Sequence, residues 1–314
     1  MPVNLRVDQR ASRTMTDNAL PRFNGSAFEG LSPEMLQAFD RDGMLVLEGL
    51  VSDADCDALM LRMGTILDAF DPAAHHSVFS SLSNAQGQEQ YFLDSGREIR
   101  FFFEEEARDK DGRLKANFRA SLNKVGHALH DLDPEFCAFS RQPAFRNIAQ
   151  GLGIAEPLLL QSMYIFKPPR IGGEVTCHQD SSYLWSEPQS CIGLWLALED
   201  ATIENGCLWG LPGMHKETQP RSRYERLAGG SGAGDILLDE RPWPVEECVP
   251  LEAARGTLVV LHGQFPHRSG ANRSDKSREA YALHLIDGRC EYPATNWLRW
   301  GKDNSIYGFG NKVG

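Results

Sequence analysis

His178-Gln179-Asp180, His267 and Arg278 are the residues of this chain whose types and spacing could do chemistry together. Two imidazoles and one carboxylate fill three positions on a non-haem Fe(II) ion and leave three open for a co-substrate and O2. His267 follows Asp180 by 87 residues, and Arg278 follows His267 by eleven. A guanidinium held there is a fixed cation for a dicarboxylate such as 2-oxoglutarate, which it can grip with two parallel hydrogen bonds. The set predicts an oxygenase using Fe(II), 2-oxoglutarate and O2, with His178, Asp180, His267 and Arg278 as its catalytic residues. His-x-Asp alone occurs by chance in many chains; the four together in one strand-rich half are far more specific.

Strands must position this set. Residues i and i+2 of a strand share a face, so His178 and Asp180 are expected to reach one ion from a single strand end. The distant ligand has two candidates, His262 and His267. Each has an Arg eleven residues on, Arg273 and Arg278. Arg273 lies in the polar stretch Ala271-Asn272-Arg273-Ser274-Asp275-Lys276, whereas Arg278 opens an apolar run ending at Leu285. A strand holds its Arg still, so His267 is taken as the ligand and His262 as a supporting or core residue.

Short apolar strands are predicted at Leu158–Phe166, Val175–His178, Cys191–Glu199, Cys207–Leu211, Gly256–Leu261 and Glu279–Ile286. Turn residues separate them, and Glu204-Asn205-Gly206 reads as a hairpin-type turn. Strands without intervening helices indicate a sandwich or jelly-roll barrel, with its core at about 158–290. Residues 31–157 look more helical. Ser32 caps one helix that ends near Asp42-Gly43, and Ser52 opens another. Further helices are expected at Leu122–Leu132 and Pro143–Gln150, a strand at Met44–Leu47, another at Glu98–Phe103, and a long loop over Asp71–Gln90. One oxygenase domain is expected over 31–300, with a flexible leader at 1–30 and a tail at 301–314.

A net charge of −11 argues against a general nucleic-acid binder, which needs a basic surface. Seven cysteines with no C-x-x-C pair argue against a disulfide framework or zinc ribbon and fit a reducing compartment. No apolar run approaches the roughly 18 residues of a membrane span. The N-terminus lacks a signal-peptide apolar core, and the end Asn311-Lys312-Val313-Gly314 is no peroxisomal signal. A cytoplasmic location is the expectation. The sequence says nothing of oligomeric state.

Longer blocks carry a resemblance. They include Asp42-Gly43-Met44-Leu45-Val46-Leu47, Lys124-Val125-Gly126-His127, Gln161-Ser162-Met163-Tyr164-Ile165-Phe166-Lys167, Gly172-Gly173-Glu174-Val175 and Glu204-Asn205-Gly206-Cys207-Leu208-Trp209. With the His-x-Asp segment, and over about Leu31 to Trp297, the chain resembles the phytanoyl-CoA dioxygenase family, and within it the domain-containing-protein subgroup. The resemblance implies a double-stranded β-helix (a cupin-like jelly roll) with His178, Asp180 and His267 on iron. It further implies 2-oxoglutarate contacts from Lys124, Met163, Trp195, Ser269 and Arg278. It also makes Asp180 informative, because related iron halogenases lack this carboxylate. One departure is visible: the family's Pro-Gly-Ser-His block reads Pro212-Gly213-Met214-His215 here.

The expected activity is hydroxylation of a C–H bond in a small organic substrate, fatty acyl and acyl-CoA-like molecules included. The alternatives are a non-catalytic jelly-roll that binds metal or ligand, the same iron chemistry used for desaturation or another rearrangement, and an iron oxygenase needing no oxoacid. Other residues carry weaker signals. His127 and His130 could share a helix face as a second metal site, but no further ligand is evident. His75-His76 reads as solvated, Cys177 as a buried thiol, and His284 as a core histidine. Arg268, Arg273 and Lys276, with Arg278, form a basic run that either meets an anionic substrate or is solvated.

Overall fold

The computed structural model describes residues 20–72, 77–81, 85–111, 113–115, 117–217, 219–230, 232–299 and 306–310. Its strands in chain order are β1 (Arg22–Asn24), β2 (Met44–Glu48), β3 (Val78–Phe79), β4 (Ile99–Glu104), β5 (Leu122–His127), β6 (Pro157–Ile165), β7 (Val175–His178) and β8 (Ile192–Ala197). They continue as β9 (Leu208–Gly210), β10 (Ser222–Arg226), β11 (Ala233–Leu237), β12 (Val249–Leu251), β13 (Leu258–His262), β14 (His267–Ser269) and β15 (Ala280–Asp287). A nine-stranded sheet runs β1-β2-β13-β8-β15-β6-β5-β4-β3, a four-stranded sheet runs β12-β9-β14-β7, and β10 pairs with β11.

The large sheet shows why its strands read as continuous apolar runs: it is covered on both faces. Alternate residues go to opposite sides. Leu45, Leu47, Leu194, Leu196, Leu258, Val260, Leu283 and Leu285 share one core with Cys56, Leu59, Met63, Phe136, Phe145 and Ile148. Those partners come from the helices α2 (Asp53–Asp68), α5 (Pro134–Ser140) and α6 (Pro143–Gly151). The other face carries Met44, Val46, Trp195, Ala197, Val259, Leu261, Ala280 and Ala282, packed with Cys207, Leu208 and Phe265 from the four-stranded side. Trp195, Leu261 and Ala282 of this face line the cavity between the sheets. Each fully buried Leu is worth roughly 1.5–3 kcal/mol of transfer free energy, so this double cover stabilises the strands that form the site's walls.

The N-terminal half follows local rules. In α1 (Pro33–Asp42) the Ser32 side chain accepts from Met35 N, and Gly43 closes the helix at φ +81°, a left-handed conformation that suits glycine. The Ser52 side chain accepts from Asp55 N to open α2.

The segment predicted as a helix at Leu122–Leu132 is instead strand β5 followed by the short α4 (Leu129–Leu132). Burial of β5 between β4 and β6 outweighs its weak helical pattern. The stretch Asp71–Gln90 is not all loop: it contributes β3 and a 3-10 turn at Ala85–Gln88, and α3 (Gln90–Leu93) follows. The turn at Glu204-Asn205-Gly206 does not close a hairpin; it carries the chain from β8 in the large sheet to β9 in the small one. The Asn205 side chain accepts from Thr202 N at 2.7 Å and donates to Asp200 O at 2.8 Å to hold it.

Candidate active site

Strands β7 and β14 are antiparallel, and His178 stands opposite His267 in their register. The two rings lie 4.4 Å apart between centroids. His178 Nδ1 is 2.8 Å from Thr176 O, and His267 Nδ1 is 3.0 Å from Phe265 O. A carbonyl oxygen only accepts, so each Nδ1 carries the hydrogen and each Nε2 keeps its lone pair. Both Nε2 atoms are 3.7 Å from Asp180 Oδ1. The ligand atoms of these three residues all lie within 4.8 Å of one another, and no other such group occurs among the described residues.

Two neutral imidazoles and a carboxylate converging this way fit a transition-metal ion such as Fe(II). Asp180 is only 7 % exposed. Burial alone would raise its pKa, but His284 and His267 beside it outweigh burial and hold it below the usual carboxylate range. Burial, followed by His267, pulls His178 down to about 4. Its lone pair is therefore free at neutral pH.

His284 Nε2 lies 3.2 Å from the other oxygen, Asp180 Oδ2. The approach is off-line, so Oδ2 makes no full hydrogen bond within the protein. Space here is tight: a Cβ on Gly193 would stand 2.8 Å from Oδ2 and 3.4 Å from the His284 ring. Gly193→Ala should therefore displace the carboxylate and loosen metal binding by about tenfold or more. A Co(II) titration of the apoprotein checks this, and unchanged affinity would contradict it.

Arg278 is 2 % exposed. Its Nη2 donates to Ser269 Oγ at 3.4 Å, while Nε and Nη1 are buried without a protein partner. Its guanidinium carbon is 5.4 Å from the Trp195 ring centre, and the Trp195 ring N–H is likewise unpartnered. Burial draws Arg278 down to about 10, which leaves it charged at neutral pH. Buried orphan donors of this kind call for a ligand, and a carboxylate of 2-oxoglutarate fits them.

Lys124 and Met163 line the same cavity, whose volume is about 1270 Å³ counting its mouth. The Lys124 ammonium sits 3.2 Å above the Phe79 ring centre. Lys167, close by, is already used: its ammonium donates to Gly173 O and Gly270 O, each at 2.7 Å. The cavity wall also includes Phe92, His127, Tyr183, Tyr224 and Trp297.

The phytanoyl-CoA dioxygenase (PhyH) family matches residues 39–280. Among curated relatives, "Phytanoyl-CoA dioxygenase" of Arabidopsis thaliana is 43 % identical over 276 residues, covering 87 % of this chain and 95 % of that protein. "Phytanoyl-CoA dioxygenase domain-containing protein 1" of Bos taurus is 44 % identical over 277 residues, covering 86 % and 95 %. This chain belongs to the phytanoyl-CoA dioxygenase family. Among solved structures, EctD from S. alaskensis with bound Fe superimposes with a TM-score of 0.58 at 19 % identity, covering 87 % of this chain and 85 % of that one. The same protein with 2-oxoglutarate and 5-hydroxyectoine gives 0.56 at 18 % identity, covering 90 % and 94 %. That likeness establishes a common fold.

Within this family member, several expectations change. Asp180 does not share a pleat with His178; β7 ends at His178, and Asp180 opens the short helix α7 (Asp180–Tyr183). A helical turn, not strand parity, presents the carboxylate. Arg278 lies just before β15, with its N–H on Lys167 O at 3.2 Å. Lys124 sits on a strand, not a helix. His262 faces Phe39 and His215 rather than the ligand cluster.

His127 and His130 share no helix face. His127 ends β5 with Nδ1 2.7 Å from Ser95 Oγ, and His130 lies in α4 with Nδ1 2.9 Å from Ser162 Oγ. Cys177 is half-buried and hydrogen-bonded to Cys248, and no cysteine forms a disulfide. His215 Nε2 donates to Asp40 O, 3.1 Å away, and the Met214–His215 turn does not line the cavity. His75 and His76 lie outside the described residues.

Of the basic run, Arg273 pairs with Glu106 at 2.9 Å and Lys276 is exposed, while Arg268 reaches the cavity wall. The residues that sequence reasoning undervalued are His284, Gln161 and Glu104. The usable signal for His284 was parity with Arg278; for Gln161 it was a lone amide in an apolar strand.

Proposed function

We propose that this chain is an Fe(II)- and 2-oxoglutarate-dependent dioxygenase that hydroxylates a C–H bond of a small organic substrate, releasing succinate and CO2. One observation carries the reading: the converging His178–Asp180–His267 donors share a cavity with a buried Arg278 whose Nε and Nη1 have no protein partner. A metal-binding jelly-roll without catalysis would have no use for that cation. The two facing sheets are read as a double-stranded β-helix, within one domain over about 31–300.

His178, Asp180 and His267 would hold the metal, and Arg278 with Ser269 would hold the far carboxylate of 2-oxoglutarate, with Lys124, Met163 and Trp195 around it. When bound, Fe(II), 2-oxoglutarate and O2 supply the oxidising chemistry, splitting the oxoacid as a substrate C–H becomes C–OH. The protein's own part is positional. The Thr176 and Phe265 carbonyls fix both imidazole tautomers, and the small side chain of Ala282 lines the cavity without filling it. Phe92, Tyr183, Tyr224 and Trp297 provide an apolar end for substrate. There the buried Gln161 Oε1, Tyr224 hydroxyl and Trp297 N–H make no hydrogen bond within the protein, so they are available to polar groups of a substrate. Among the described residues, no helix is long and apolar enough to cross a membrane.

The test is spectroscopic. Anaerobic Fe(II) plus 2-oxoglutarate should produce a visible metal-to-ligand charge-transfer band, and air should then yield succinate. Folded protein showing neither result would sink the proposal.

Affinity for 2-oxoglutarate should also depend on pH. Burial draws Lys124 down to about 7, against the opposing pull of Glu104. Burial pushes Glu104 up to about 7. Below that pH Lys124 is cationic and Glu104 uncharged; above it Lys124 is neutral and Glu104 anionic. Both changes disfavour a dianion as pH rises, so affinity should fall between about pH 6 and about pH 8. Lys124→Met should bind more weakly at the acidic end and lose part of the slope. A dissociation constant that tightens with rising pH would contradict the assignment.

A further inference from the structure

We propose that His284 and Gln161 form a positioning line that holds Asp180 to one-oxygen coordination of the metal. The proposal rests on the metal-site reading of His178, Asp180 and His267. Asp180 Oδ1 is the oxygen 3.7 Å from both ligand imidazoles. Oδ2 instead lies 3.2 Å from His284 Nε2. On its far side, His284 Nδ1 is 3.3 Å from Gln161 Nε2. An amide nitrogen only donates, so Nδ1 accepts and the imidazole hydrogen sits on Nε2, toward Oδ2. The opposite tautomer would set a lone pair against a carboxylate oxygen.

The sheet builds this line without slack. His284 is in direct register with Gln161 on β6 and with Gly193 on β8. Both His284 and Gln161 are 5 % exposed. Gly193 leaves the gap in which Oδ2 sits, and any side chain there would fill it. His284 belongs to the central strand of the large sheet, so its backbone is fixed on both edges. Gln161 is a polar residue between the buried Leu160 and Ser162, and its amide N–H has His284 as its partner.

The chemical consequence concerns vacancy. A carboxylate can give one or both oxygens to a metal ion. A second Asp180 oxygen would occupy one of the three positions that co-substrate and O2 require. The His284 N–H beside Oδ2, 3.2 Å away though off-line, attracts that oxygen electrostatically, opposes that rotation and keeps the open face open. His284 acts through Asp180 and Gln161 acts through His284, so both are positioning residues.

Co(II) alone is the probe, added to apoprotein, with affinity and visible spectrum as readouts. His284→Leu should weaken Co(II) binding by about 10- to 100-fold and change band intensity as coordination number changes. Gln161→Leu should weaken it less. The double variant should match His284→Leu alone, because the two residues act in series. His284→Gln keeps an N–H donor and should recover part of the affinity.

Thermal midpoints of the apoproteins report folding, and if His284→Leu does not fold, Gln161→Leu and His284→Gln carry the test. Wild-type affinity and spectrum in the folded variants, or losses that simply add in the double variant, would overturn the line. Wild-type protein that fails to bind Co(II), or Asp180→Ala that binds it equally well, would instead overturn the metal site itself.

Discussion

Asp180→Ala is expected to give a folded protein that neither binds Fe(II) usefully nor releases succinate. Asp180 is the one anionic donor in the cluster. Without it, two imidazoles remain, and no other carboxylate belongs to the cluster among the described residues. Loss of a partner outside the ligand set typically costs about 10- to 100-fold in metal affinity or activity; loss of a ligand falls beyond that. The apoprotein should not suffer in the same way. Removing Asp180 relieves a desolvation cost but leaves His284 without its carboxylate neighbour, so the thermal midpoint should shift while the protein stays folded. The checks are an anaerobic Fe(II) titration, a succinate assay and a thermal midpoint. Succinate release at the wild-type rate would refute the role assigned to Asp180.

Arg278→Ala is expected to lose 2-oxoglutarate while keeping the metal. Truncating one partner of a buried charge pair costs roughly 2–5 kcal/mol. That corresponds to an affinity loss of about 30- to 5000-fold. Arg278→Lys should not rescue it, because an ammonium is a point charge and cannot present two parallel N–H bonds. Lysine also could not replace both unpartnered positions, Nε and Nη1. The measurement is a 2-oxoglutarate titration of the metal-loaded variant. Normal Co(II) binding with lost oxoacid binding separates this effect from that of Asp180→Ala. Undiminished oxoacid affinity in Arg278→Ala would remove Arg278 from the site.

The strands of the second half were legible because they are covered on both faces and so read as unbroken apolar runs. β5 was not legible. Its Leu122-Asn123-Lys124-Val125 pattern fits a helix as well as a strand, and only pairing with β4 and β6 decides between them. The choice of His267 over His262 rested on which downstream Arg is held still. The structure puts His262 among Phe39, His215 and the Gln264 backbone. It puts His267 opposite His178. The geometric reason offered for Asp180 did not hold, since the chain turns into α7 immediately after His178.

The sequence by itself determined the donor types, their order along the chain, the family and the cation that matches a dicarboxylate. These follow from residue chemistry and from local spacing. Only the tertiary structure decided which atoms face one another. The pairing of β7 with β14 brings His178 to His267 across 89 residues. The register of β15 with β6 and β8 places His284, Gln161 and Gly193 around Asp180 Oδ2. Such contacts join residues far apart in the chain, and no local pattern encodes the register between distant strands.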